Sequence, residues 1–186
     1  QRPEPPEYQM TAPTIAPAPG EYAPHYAGYV ARVPAGDVLA RLRRQISETG
    51  ALLRPLDAAK ARYRYAPGKW SVIEVLGHLC DAERVFTYRA LRIGRGDETP
   101  MAGFDENVYV PAGEFERRSM ADVLGEFEAV RAATAALLGG LPEAAWTRWG
   151  VANGQRVTVR ALAHIIAGHE LHHVDVLRTR YSVGGG

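Results

Sequence analysis

HIIAGHELHHVDVL, residues 164–177, carries four of the six histidines of this 186-residue chain. At about 100° per residue, Leu162, Ile166, His169, His173, Val176 and Leu177 share one side of a helix. Their 4, 3, 4, 3 spacing is the core stripe of a bundle helix. Two imidazoles therefore occupy core positions one turn apart, which costs free energy unless their polar atoms find partners. A metal ion is the partner that uses both at once, since residues i and i+4 reach the same point. His172 falls at the edge of the stripe, as a supporting or surface residue. His164 points nearly opposite and is left out of the site.

Around this helix the chain reads as three more. The first is expected from about Asp37 to Arg54, between Pro34-Gly36 and Pro55. The second opens at Ser71, with Glu74 at capping-box spacing, and stops at Gly94 or Gly96. Its apolar face carries Val72, Val75, Leu76, Leu79, Phe86 and Ala90, with His78 at the edge. A histidine from a second helix thus points partly inward, the natural third ligand to the pair on the last helix. Cys80 lies about 200° from His78 and cannot share an ion with it; it is expected as a small surface or interface hydrophobe. Asp81 and Glu83 read as a solvated face. The third helix starts at Ser119 and ends at Gly139-Gly140, and Thr158 caps the last, which runs to about Tyr181. Strands have almost no support, so the fold class is all-α, a four-helix bundle.

Residues 1–24 are rich in proline and alanine and read as an extended or disordered arm, with the bundle domain over 25–186. Met10 is a candidate natural start. Tyr22, Tyr26 and Tyr29 belong to an extended lead-in on the bundle surface, and His25, a lone loop histidine, reads as solvated. Residues 94–118 form a long connection with no sustained period. It could cover the mouth of a site, with Phe104 or Tyr109 turned inward.

Composition sets the outer limits. Lys plus Arg number 22 and Asp plus Glu 21, giving a net charge of +1, so nothing marks a nucleic-acid surface. No apolar run approaches the ~20 residues of a membrane span. No charged-then-apolar leader opens the chain. The single cysteine excludes an intrachain disulfide and makes a cytoplasmic setting the default. A small-molecule substrate is the expected partner, and a homodimer through helix faces is compatible with such a bundle.

Three neutral imidazoles from two helices, His78, His169 and His173, make an open site suited to Zn, Ni, Mn, Co or Fe as the divalent ion. A structural zinc site would use four ligands and favour thiolates. Residues 169–173, HELHH, also satisfy the HExxH pattern of zinc proteases, with Glu170 as the base. The longer form of that pattern needs Gly and His where Val176 and Thr179 stand, and no sheet is expected to align a peptide. Two further readings stay open: a module that binds metal without catalysis, and three unmetallated core histidines.

The segments PGKWSVIEVLGHLCDAERVFTYRALRIGRGDETPMAGFDENVY and HIIAGHELHHVDVL together resemble the DinB/YfiT-like superfamily, in particular its DinB_2 type. The resemblance spans roughly residues 35–182. It implies an up-down-down-up four-helix bundle with a long connection between helices 2 and 3. The metal would be held by one His of helix 2 and an i, i+4 pair of the last helix, which fall on His78, His169 and His173. It also implies metal-dependent transferase or hydrolase chemistry, with a low-molecular-weight thiol such as bacillithiol or mycothiol as co-substrate. Arg89, on the helix 2 ridge that carries His78, could meet such a thiol's carboxylates, although a solvated arginine is the ordinary reading.

Overall fold

Four long helices make up the computed structural model, which describes residues 14–184: α1 (Val38–Leu53), α2 (Val72–Gly94), α3 (Met120–Gly139) and α4 (Val159–Thr179). Helices α1 and α2 each pack against both α3 and α4, so the order around the bundle is α1, α3, α2, α4. The starts are set by side-chain caps at the expected residues. Asp37 accepts from the Leu39 and Ala40 amides, Ser71 and Glu74 form the capping box, Ser119 accepts from Asp122, and Thr158 accepts from Ala161.

The apolar core falls into two clusters. One gathers Leu42 of α1, Phe86 and Ile93 of α2, Leu138 of α3 and Val159–Ala167 of α4 around Trp146. The other joins Leu53, Val72–Cys80, Val123, Leu124, Phe127 and Leu177. Between them lies a polar layer built from all four long helices. Arg131 of α3 donates to both carboxylate oxygens of Glu83 of α2 at 2.8 Å and to the Leu42 carbonyl of α1 at 3.2 Å. Its Nη1 also approaches Glu170 Oε2 of α4 at 2.7 Å, in poor hydrogen-bond alignment, so this contact is chiefly one of charge. Thr49 of α1 donates to the other Glu170 oxygen at 2.5 Å. Glu83 and Arg131 are 3 % and 1 % exposed, so Glu83 belongs to the interior and not to the solvated face expected from its sequence neighbours. Cys80 is also fully buried, not at the surface, and burial pushes its thiol up to about 12.

The expectation of no strands is corrected by one hairpin. Strands β1 (Trp149–Ala152) and β2 (Gln155–Thr158) pair antiparallel across Asn153-Gly154. Both turn residues have positive φ, 50° and 70°, as a two-residue turn joining twisted strands requires. Met101, from the long connection, forms a bridge beside β1. That connection is not structureless: it holds a short helix, Glu106–Gly113, capped by Asp105, and then Phe115. The Phe115 ring packs onto Gly77, where a Cβ would meet it at 2.4 Å.

The tyrosine-bearing lead-in is helical and packed, not extended on the surface. A turn at Pro24–Tyr26 leads into a short helix, Ala27–Val30, that packs along α4. The approach is close enough that a Cβ on Gly168 would sit 2.0 Å from the Tyr29 carbonyl oxygen. Upstream, Glu21 receives hydrogen bonds from Thr158 at 2.9 Å and from Arg160 Nε at 2.6 Å. Burial alone would raise the Glu21 carboxyl, but these bonds and one from Ala18 hold it down at about 2. Residues 1–13 of the arm, Met10 included, lie outside the described residues. Among the described residues no helix is long and apolar enough to cross a membrane.

Candidate metal centre

At the level of the polar layer, one turn of α4 and one position of α2 turn three imidazoles toward a common point. His169 Nε2 lies 3.0 Å from His78 Nε2 and 3.1 Å from His173 Nε2. All three donor atoms fall within 4.8 Å of one another. The rings stand nearly edge to face, at 78°, 70° and 87°, as donors converging on one centre do.

Hydrogen bonding alone satisfies this arrangement poorly. Each Nε2 carries either one N–H or one in-plane lone pair. His169 Nε2 can therefore donate to, or accept from, only one of its two neighbours with good geometry. The second contact is then a weak three-centre share of that same hydrogen or lone pair, or else lone pair against lone pair or hydrogen against hydrogen. A cation removes the conflict, because all three atoms can then offer lone pairs. With metal–nitrogen bonds of about 2.0–2.1 Å and angles between 90° and 109°, adjacent donors lie about 2.8–3.4 Å apart. The two spacings at His169 fall in that range, and the third pair, His78 and His173, lies within 4.8 Å.

The electrostatics favour ligation. Burial lowers His78 to about 4. Burial, then the neighbouring His78, lowers His173 to about 3. His169, the most enclosed, is held well below the usual imidazole value by burial and by His173 and His78. At neutral pH all three are uncharged, the form that binds a metal.

The remaining histidines stay apart, as their helical phase indicates. His164 is buried on another side of α4, where its Nδ1 meets the Arg160 carbonyl at 2.9 Å. His172 packs beside Tyr29 and His173, with ring centroids 5.4 and 5.0 Å away. Glu170, the base of the protease pattern, points into the bundle toward Arg131 and Thr49. Burial raises its carboxyl, and the Arg131 charge offsets part of that rise. It serves the interior of the bundle and does not face the histidines' common point.

The three histidines form one wall of a cavity of about 410 Å³. Tyr26, Trp70, Phe86 and Phe104 supply aromatic walls, and His25 and Glu106 also line it. Phe104 turns inward as expected, whereas Tyr109 is 44 % exposed. Arg89 lines the same cavity and is 4 % exposed, not solvated. Sequence reasoning passed over Trp70, whose ring lies 4.9 Å from that of His78, and Tyr29, 5.2 Å from His169. The signal for Arg89 was present: it is eleven residues from His78, three turns along the same face of α2.

A four-helix bundle with a histidine triad opening into an aromatic cavity defines a class of candidate metal-centre proteins. Comparison with known families is more specific. The DinB superfamily profile matches residues 41–177, which include all three histidines, and the chain belongs to that family. Among solved structures it is similar to YfiT from Bacillus subtilis, described as a probable metal-dependent hydrolase with an unusual four-helix bundle topology. That match has a TM-score of 0.70 and 18 % identity and covers 79 % of this chain and 87 % of that one. It is also similar to a mycothiol-dependent maleylpyruvate isomerase, with a TM-score of 0.62 and 19 % identity. Here the match covers 74 % of this chain and 58 % of the isomerase chain. At these identities the likeness establishes the shared bundle. No curated protein matches the sequence.

Proposed function

We propose that this protein is a metal-dependent enzyme, holding a divalent ion through His78, His169 and His173 and acting on a small molecule in the adjoining cavity. The observation that carries the proposal is the pair of Nε2 contacts at 3.0 and 3.1 Å on a single His169 nitrogen, which cannot both be full two-centre hydrogen bonds. A bound divalent ion would supply Lewis acidity, lowering the pKa of a water or thiol nucleophile. The chain's own groups do the rest. The neutral imidazoles present lone pairs without competing protons. Trp70, Phe86 and Phe104 hold an apolar substrate body and keep bulk water from it. Arg89 brings positive charge to a cavity that the aromatic rings, the histidines and Glu106 also line.

Thiol transfer or hydrolysis are the reaction classes supported, since the two structural relatives are a mycothiol-dependent isomerase and a probable hydrolase. Cys80 is no candidate nucleophile, being buried with its thiol protonated, so a thiol would come from a co-substrate. A cytoplasmic setting fits that chemistry. The test is turnover. Protein reconstituted with Zn²⁺, Ni²⁺ or Mn²⁺ is screened for conjugation of small thiols to electrophiles and for ester and amide hydrolysis. Activity lost on chelation and in His78→Ala and His173→Ala supports the proposal. Activity that survives either change overturns it, and full metal occupancy without turnover across the screen points to a binding module instead.

A further inference from the structure

Among the described residues two arginines are almost wholly buried, and one of them has its charge met by carboxylates. Arg131, 1 % exposed, faces the carboxylates of Glu83 and Glu170. Arg89, 4 % exposed, pairs with no carboxylate among the described residues; its one hydrogen bond sends Nη2 to the Ala102 carbonyl at 2.9 Å. The guanidinium has five N–H groups, so most of its donor capacity is unspent on protein. The rings of Phe86 and Phe104 lie 5.9 and 6.0 Å from its central carbon, at the outer limit of a cation–π contact. Its unbonded nitrogens are not sealed in protein but face the cavity, where a ligand can take their hydrogen bonds.

Arg89 also shares its cavity with the histidines. The Phe86 ring lies 6.0 Å from that of His169 and 5.9 Å from the Arg89 guanidinium carbon, so the guanidinium is within about 12 Å of the His169 ring. On α2 the Arg89 side chain leans back toward the helix N-terminus, the direction of His78. Glu106 lines the cavity too, but is not within ion-pair distance of Arg89.

We propose that Arg89 receives a carboxylate of the ligand, so that the cavity takes a small molecule with its reactive group at the histidines and a carboxylate at the far end. A single planar fork with no second cation beside it matches a carboxylate, bidentate and singly charged, better than a phosphate dianion. The carboxylate belongs either to the thiol co-substrate or to the molecule it attacks. The inference deepens the proposed function, but its test runs without metal.

Binding is measured by calorimetry on the full chain after chelation, with circular dichroism confirming the fold of each variant. The probes are phenylacetate and N-acetylcysteine, each beside its neutral amide. Wild type is expected to prefer the carboxylates by about ten- to hundredfold. Arg89→Gln should erase that preference, and Arg89→Lys should keep part of it. An Arg89-dependent preference for phenylacetate alone assigns the carboxylate to the acceptor molecule, and one for N-acetylcysteine alone assigns it to the thiol; either supports the proposal. A preference unchanged in folded Arg89→Gln, or no preference in metal-free wild type, overturns it. Carboxylate binding that appears only with metal and ignores Arg89 would likewise sink this inference while leaving the metal site standing. Arg89-dependent binding by a protein that takes up no metal would do the reverse.

Discussion

Replacing Arg131 with methionine keeps most of the side chain's volume and removes its charge. The change leaves Glu83 and Glu170, 3 % and 1 % exposed, sharing a buried layer with no cation between them. Breaking a buried ion pair by deleting one partner costs about 3–5 kcal/mol. For a chain of this length that lowers Tm by roughly 6–20 °C. The loss should depend on pH, with a definite sign. Burial raises the Glu170 carboxyl, and without Arg131 no cation offsets that rise, so the native state binds more protons than the unfolded state. Stability is then greatest below the unfolded carboxyl value and falls as pH rises through the folded one. The deficit of Arg131→Met relative to wild type should thus be smaller near about pH 5 than near about pH 8. Urea unfolding at both pH values measures it, and adding Glu83→Gln and Glu170→Gln should restore part of the loss. A deficit under about 1 kcal/mol, or one equal at both pH values, would refute the view that this layer is held by charge.

Two glycines should respond in opposite senses. Gly168→Ala drives a Cβ into the Tyr29 backbone at 2.0 Å and should cost about 1–3 kcal/mol by thermal melt. Gly125→Ala lies in α3 with nothing within 4 Å and should stabilise by about 0.5–1 kcal/mol. In metal-free protein, His78 at about 4 and His173 at about 3 lie below the unfolded 6.5, so their contribution is complete above pH 6.5 and lost as pH falls through those values. Denaturation at stepped pH should show stability falling over that window, and a flat profile would contradict the buried, neutral triad.

The bundle and the triad were legible because both depend on local periodicity. The spacing on α4 put His169 and His173 in the core stripe, and the caps at Asp37, Ser71, Ser119 and Thr158 fixed the helix starts. What sequence concealed depends on partners distant along the chain. Glu83 looks solvated beside Asp81 until Arg131, 48 residues on, reaches it. Arg89 shares the His78 face of α2, but only the tertiary arrangement of Phe86, Phe104 and Ala102 shows it buried. The hairpin was signalled by Asn153-Gly154, yet strands of four residues are too short to show alternation. The lead-in gave no helical period because it forms only short turns, held by contact with Gly168 and α4.

The central claim is that His78, His169 and His173 hold one divalent ion. The most direct measurement is metal content by ICP-MS on protein purified without an affinity tag or added metal, beside His78→Ala and His169→Ala. The account predicts about one equivalent in the wild type, lost in both variants. No metal in any of them, with no thermal shift on adding Zn²⁺, Ni²⁺ or Mn²⁺, would contradict it and leave three histidines crowded in a core without a cation.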